Sequence, residues 1–184
     1  MNTKTKMGTG AGNASRPELD EASVKGASEV AKKLPLFGHV VWLYTQSPAS
    51  RYYFIQDMES RVLPALVLDQ CKVYLQTSGG SLPIAYVSWA YLSPDAEERF
   101  LATQRIAPSD WKSGENLWLI DVLAPFGGEQ AILKELFNDE LKNREVFLLY
   151  PSSGGGLQKK SLSELIGSES EAGAAADQDE RIKH

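Results

Sequence analysis

One cysteine, Cys71, is all this 184-residue chain has, so no internal disulfide can staple it and its stability has to come from an apolar core. Histidine is nearly as scarce: His39 and His184 are the two present, and no His/Cys/Asp cluster has metal-ligand spacing. Metal catalysis and a Ser-His-Asp set are therefore not expected. No apolar run approaches the length a membrane helix needs, and no charged-apolar-small leader opens the chain, which makes a cytoplasmic soluble protein the expectation. Basic residues are outnumbered, 19 against 24 acidic for a net charge of −5, so bulk charge does not attract nucleic acid. The Gly-x-Gly-x-x-Gly dinucleotide pattern after a strand is missing too, since Gly8, Gly10 and Gly12 precede any strand.

What is there is a 42% apolar chain of a length that suits one domain with a sizeable core. Both ends are rich in Gly, Ala, Ser and charge, so 1–34 and 152–184 read as flexible tails around a domain at 35–151. Gly154-Gly-Gly156 reads as a flexible exit from that domain, and Lys159-Lys160 as a solvated turn.

Within the domain, Val40, Val41, Leu43 and Tyr44 suit one face of a helix over 38–46 that Pro48 interrupts. A second helix, about Phe54 to Leu63, is expected to end against Pro64. Residues 72–77 and 83–92 flank Ser78-Gly-Gly-Ser81, a hairpin signal. Ser93 followed by Pro94 and early acids starts a helix over 94–103. Asn116-Leu-Trp-Leu-Ile-Asp-Val-Leu123 is nearly continuous in apolar residues, the pattern of a strand covered on both faces and hence central. A helix over 129–142 and a last strand over 145–150, expected at an edge of the sheet, complete a mixed α/β layer.

Three segments carry a family likeness: Gly38-His-Val-Val-Trp-Leu-Tyr-Thr-Gln-Ser-Pro48, Leu82-Pro-Ile-Ala-Tyr-Val-Ser-Trp-Ala-Tyr-Leu-Ser93 and Asp110-Trp-Lys-Ser-Gly-Glu-Asn-Leu-Trp-Leu-Ile-Asp-Val-Leu-Ala-Pro-Phe-Gly128. Together they resemble the lysine acyltransferases that activate RTX toxins. The resemblance spans roughly Leu36 to Tyr150. It implies a GNAT-like fold, a single mixed and mostly antiparallel sheet with flanking helices in which two central strands splay apart. It implies no bound cofactor, an acyl group delivered on acyl carrier protein, a lysine of an RTX-type toxin or adhesin as acceptor, and self-association as a homodimer.

That chemistry has a fixed demand. A lysine side chain has a reference pKa near 10.4, so at neutral pH only about one in two thousand is a free amine. A base or a dry pocket must remove the proton, and the oxyanion formed on the thioester needs donors. The family is understood to use a His in a Ser-Pro-x-His-Arg motif and an Asp at the end of the central strand. Asp121 matches the second. The first reads Ser47-Pro-Ala-Ser-Arg51 here, with Ser50 in the histidine's place, and Arg61 stands where the family has an asparagine just before Val62-Leu-Pro64.

Serine is no base at neutral pH without an activating partner. The catalytic candidates are therefore Asp121, Ser50 and His39, and the candidates for substrate binding are Ser47, Arg51, Arg61 and Trp118. Each has a plainer reading. Asp121 could cap the turn after its strand, Ser50 a turn of its own, and His39 could hydrogen-bond locally at a helix start. Trp118 could be core, like Trp42, Trp89 and Trp111. Arg61 could meet an acidic carrier protein, or pair with Asp121 and silence it. Two functions follow: a fatty-acyl transferase acting on protein lysine, or a catalytically silent relative that binds the carrier or the RTX partner.

Overall fold

In the computed structural model, the described residues are Ser28 and residues 31–76, 81–152 and 154–167. Most of the expected N-terminal tail, the Ser78-Gly-Gly80 turn and everything after Gly167 lie outside them. Helix α1 (Leu34–Gln46) starts four residues before the expected point, with Pro35 in its first turn, and stops at Ser47, whose N–H bonds back to Leu43 O at 3.1 Å. Helix α2 (Ile55–Arg61) is shorter than expected and ends before Pro64, as expected, and a new helix not foreseen, α3 (Leu63–Val67), starts there with the proline in its first turn. The missing proline N–H costs nothing at a helix start, so the residue that stops one helix also starts the next.

Strands β1 (Cys71–Gln76) and β2 (Leu82–Leu92) pair antiparallel, as the hairpin signal required. Helix α4 (Pro94–Thr103) follows with the expected cap, the Ser93 hydroxyl accepting from Ala96 N–H at 3.2 Å. Then come β3 (Asn116–Leu123), α5 (Glu129–Asp139), β4 (Val146–Pro151) and β5 (Leu157–Ser161). The sheet runs β1-β2-β3-β4-β5, so β3 is central, and only the β3–β4 junction, bridged by α5, is parallel. A hairpin cannot join parallel neighbours, which is why a helix crosses over there.

Two expectations are corrected at the C-terminal end. Residues 157–161 form a fifth strand and 162–167 are helical, so the ordered fold runs beyond 151. The Gly154–Gly156 run is the β4–β5 turn, closed by Ser152 N–H on Gly156 O at 3.0 Å. Lys159 lies in β5, ion-paired with Glu97 and set over the rings of Trp118 and Phe147, so the solvated-turn reading fails. Leu162 is fully buried. As a result β4 is an interior strand, and the edges of the sheet are β1 and β5.

Helices cover both faces. On one, Leu117, Leu119 and Val87 pack against Ile132, Leu133 and Leu136 of α5. On the other, Trp118, Ile120 and Leu92 meet Phe100 of α4, while Tyr86 and Leu123 meet Val40, Leu43 and Tyr44 of α1. Trp111 and Trp118 are fully buried, and an aromatic ring at such a position removes about 150–250 Å² from water. This is the largest apolar contribution a single residue makes, and it fixes the loop before β3 as firmly as the strand. Gly114 in that loop allows no side chain: a Cβ would fall 2.5 Å from Ser93 Cα and 2.6 Å from Leu92 O.

Candidate active site

A strand residue normally alternates between faces, but β3 breaks that rule at one place. Ser88 pairs with Asp121 and Trp89 with Leu119, so Ile120 is an extra residue, a bulge. Leu119 and Val122 face the α5 side, whereas Ile120 and Leu123 face the other helices. Between them Asp121 is brought opposite Ser88, on the face where Tyr86 and Ala90 also lie. The bulge turns a carboxylate into the helix-covered side of the sheet, with 7% of it exposed.

Burying a carboxylate without a partner is costly. Here Arg61 supplies the partner from the last position of α2, its Nε donating to Asp121 Oδ1 at 2.9 Å and its Nη2 at 2.7 Å. Nη2 also reaches Ile120 O at 3.4 Å, and the Tyr53 ring lies 5.2 Å from the guanidinium carbon. Arg61 is itself held from behind, since Trp111 Nε1 donates to the Ser60 carbonyl at 2.9 Å. Gln70 Nε2 in turn donates to Trp89 O and Trp111 O, both at 3.0 Å. Burial, the largest single influence, would lower the guanidinium pKa, but Asp121, Tyr44 and Tyr53 together outweigh it and the net shift is upward, so Arg61 is a fixed cation.

The other oxygen is different. Asp121 Oδ2, Tyr44 Oη, Tyr86 Oη and Ser88 Oγ are buried without a well-formed hydrogen bond among the described residues, although the Tyr44 phenol lies near enough to interact with the Asp121 carboxylate and the Tyr86 phenol with Ser88. Burial first, and the Asp121 charge second, push both phenols well above their ordinary pKa. Tyr44 and Tyr86 thus stay protonated and can act only as donors or as neutral acceptors. Of Asp121, Arg61, Tyr44 and Tyr86, the carboxylate alone can take up a proton.

Beside this site the sheet opens. Strands β3 and β4 pair at Leu117–Val146 and Trp118–Phe147 and then part. The gap is a cleft of about 540 Å³ whose walls include Tyr53, Arg61, Leu119, Ile120, Leu149 and Tyr150. A second cavity of about 710 Å³, lined by Gly128, Leu133, Leu148, Leu162 and Leu165 among others, lies against α5 and the helical residues after β5. Leu148, Tyr150 and Glu129 border both, so the splay is flanked by open space on each side. Both volumes are within the range of ligand sites.

Of the residues singled out from sequence, the structure brings Asp121 and Arg61 together directly. No backbone N–H of the following turn bonds to the Asp121 carboxylate; that turn closes on itself, Gly127 N–H to Ala124 O at 2.9 Å. Ser47 and Ser50 meet each other, with 3.4 Å between hydroxyls, and Ser50 is buried in the turn it shapes through Ser50 N–H to Ser47 O and Tyr53 N–H to Ser50 O. Arg51 is exposed, with its guanidinium 6.0 Å from the Tyr52 ring. His39 sits half-buried on α1 and has no hydrogen bond to Asp121 among the described residues. Trp118 is fully buried against Phe100 and Phe147 and lines neither cavity.

Tyr44, Tyr86 and Ser88 were not anticipated. A signal existed: Ser88 is a hydroxyl in the middle of an otherwise apolar strand, on the same face as Tyr86. No cluster of His, Cys, Asp or Glu suited to a metal ion occurs among the described residues, and no helix there is long and apolar enough to cross a membrane.

Comparison with known proteins agrees with this geometry. Residues 29–163 match the model of the RTX toxin acyltransferase family. A leukotoxin-activating lysine-acyltransferase, LktC, of a Pasteurella haemolytica-like species is 31% identical over 137 residues, covering 68% of this chain and 81% of that protein. The protein-lysine myristoyltransferase HlyC of Escherichia coli is 38% identical over 117 residues, 61% of this chain and 66% of its own length. The lysine-acyltransferase RtxC of Vibrio cholerae is 34% identical over 114 residues, covering 61% and 69%. With a bulged central strand carrying Asp121, an opened β3–β4 junction beside it and a family match over most of its length, this chain belongs to the RTX toxin acyltransferase family.

Proposed function

We propose that the chain is a protein-lysine acyltransferase that moves a fatty acyl group from acyl carrier protein to an internal lysine of an RTX-type toxin or adhesin, in the cytoplasm. The observation that carries this reading is the parting of β3 and β4 into a cleft lined by Ile120 and by Arg61, the ion-pair partner of Asp121. Backbone groups of both strands are released there, and an extended pantetheine arm with two amides is the kind of ligand that pairs with them, as in a GNAT-like fold. The apolar wall of Leu133, Leu148, Leu162 and Leu165 suits an acyl chain. No cofactor is called for.

The reaction needs one proton removed and one charge stabilised. Asp121 is the acceptor assigned to the first, because the neighbouring phenols are held protonated and Ser50 is bound up in a turn; its Oδ2 is buried and Asp121 lines neither cavity, so the amine has to enter past Arg61 to reach it. The freed ε-amine attacks the thioester carbon, the C–N bond forms, and the carbonyl electron pair moves onto oxygen. Collapse restores the carbonyl and breaks the C–S bond, and the thiolate takes the proton that nitrogen gives up. In balance, ammonium and thioester give amide, thiol and one proton, which Asp121 releases to water before the next turnover.

Peptide mass spectrometry of an RTX-type protein co-expressed with this chain, with Asp121→Ala or with neither, tests the reading. Acylated lysines that disappear with Asp121→Ala are expected. Lysines left unmodified in the presence of a formed complex would instead support a catalytically silent relative, a reading favoured by Arg61 occupying Asp121 Oδ1.

A further inference from the structure

We propose that Arg61 is itself a catalytic residue, whose outer guanidinium edge donates to the thioester carbonyl oxygen as that oxygen becomes negative. This rests on the acyl-transfer reading above. A guanidinium has five N–H donors in a rigid plane. Nε and Nη2 are committed to Asp121 and Ile120 O, while Nη1 makes no hydrogen bond among the described residues. Asp121 lies on the buried side, so the edge turned away from it is the one left for the cleft that Arg61 lines.

Three constraints hold that edge in place before any substrate arrives. Asp121 fixes the plane from one side, the Tyr53 ring lies alongside, and Ser60, one residue earlier, is tied to the Trp111 indole. A donor that does not have to reorganise when charge develops is what an oxyanion site requires. The Arg61 side chain also keeps 22% exposure, enough for a ligand to reach it, whereas Tyr44, Tyr86 and Ser88 are sealed behind the carboxylate. Pairing with Asp121 therefore does not exclude activity. It orients the cation and leaves Asp121 Oδ2 outside the ion pair.

The test has two readouts on the full chain. The first is transfer to the RTX-type protein by wild type, Arg61→Gln and Arg61→Lys. The second is the infrared carbonyl frequency of a bound myristoyl-pantetheine thioester carrying carbon-13 at the carbonyl. Arg61→Lys keeps a cation for the buried carboxylate, so it guards against loss of fold, but its single ammonium is drawn to Asp121 and has no second edge. Both variants should lower kcat by about 10²–10³-fold, the usual cost of losing one such donor, with KM for the thioester changing less than about threefold. The bound carbonyl should vibrate at lower frequency in wild type than in either variant.

Transfer that is unchanged or faster in Arg61→Gln would overturn the proposal and mark Arg61 as a brake. A wild-type carbonyl frequency that equals that of the variants, or no binding of the thioester, would overturn it whether or not lysine is acylated. An Arg61-dependent frequency without any transfer would uphold the placement of Arg61 and sink the acyl-transfer reading instead.

Discussion

The two junctions on either side of β3 behave in opposite ways. Towards β2 the strands pair antiparallel from Leu92–Asn116 to Tyr86–Leu123, interrupted by one bulge; towards β4 they pair in parallel at two positions and then part. The closed junction holds the Asp121 backbone in place and presents its side chain to Ser88 and Tyr86. The open one leaves a cleft lined by Ile120 and by Arg61, the partner of that side chain. A site for acyl transfer needs both properties, since a loosely held carboxylate is poorly oriented and a fully paired sheet has no room for a donor. One strand supplies them by being bonded along its length on one side only.

The closed junction can be broken most severely at its far end. Gly114→Ala would drive a methyl group into Ser93 Cα and Leu92 O, both backbone atoms that cannot swing aside. A loss of about 3 kcal/mol in urea unfolding is expected, at the upper end for overpacking; unchanged stability would show that the loop before β3 is free to move. The open junction can be filled instead. Leu149→Trp, on the cleft wall, should weaken binding of an acyl-pantetheine thioester about tenfold, roughly 1.4 kcal/mol, with the urea midpoint nearly unchanged. Equal binding by this variant would mean that the donor does not use the gap between β3 and β4.

A smaller effect concerns pH. Cys71 pairs with Ser88 across β1 and β2, and burial first, then Asp69, push its thiol up from its ordinary 9.0 to about 11. A raised acid pKa means that the folded state keeps the proton longer, so this contribution to stability is complete below pH 9 and is lost as pH rises towards 11. Melting curves between pH 8 and 11 should fall less steeply for Cys71→Ala than for wild type. Parallel curves would place the alkaline loss elsewhere, for instance in Tyr44 and Tyr86.

Much of the fold was legible from local patterns. The Ser93-Pro94 cap, the antiparallel pairing of the two strands flanking Ser78 to Ser81 and the apolar run of β3 each rest on chemistry within a few residues, and each is found. The stop before Pro64 was legible, but the helix that follows was not, because a proline excluded from a helix interior is welcome in a first turn and only the packing of Ala65 and Leu66 into separate clusters makes a new helix worthwhile there. β5 was misread because Gly154 to Lys160 is polar and glycine-rich; it is a strand because β4 has an unpaired edge to offer and Trp118 and Phe147 offer their ring faces to Lys159.

The site divides in the same way. Asp121 stood out because it ends an apolar strand, and the likeness to RTX toxin acyltransferases drew attention to Ser50 and Arg61. Sequence by itself determined the strand, the lone carboxylate on it, the absent histidine and the family. That Arg61 meets Asp121 across 60 residues of chain, that one extra residue at Ile120 turns the carboxylate towards the helices, and that β3 and β4 part after two pairs were decided by tertiary structure alone. The physical reason is that register, bulge and helix end are set by packing between distant segments, which no short stretch of chain contains.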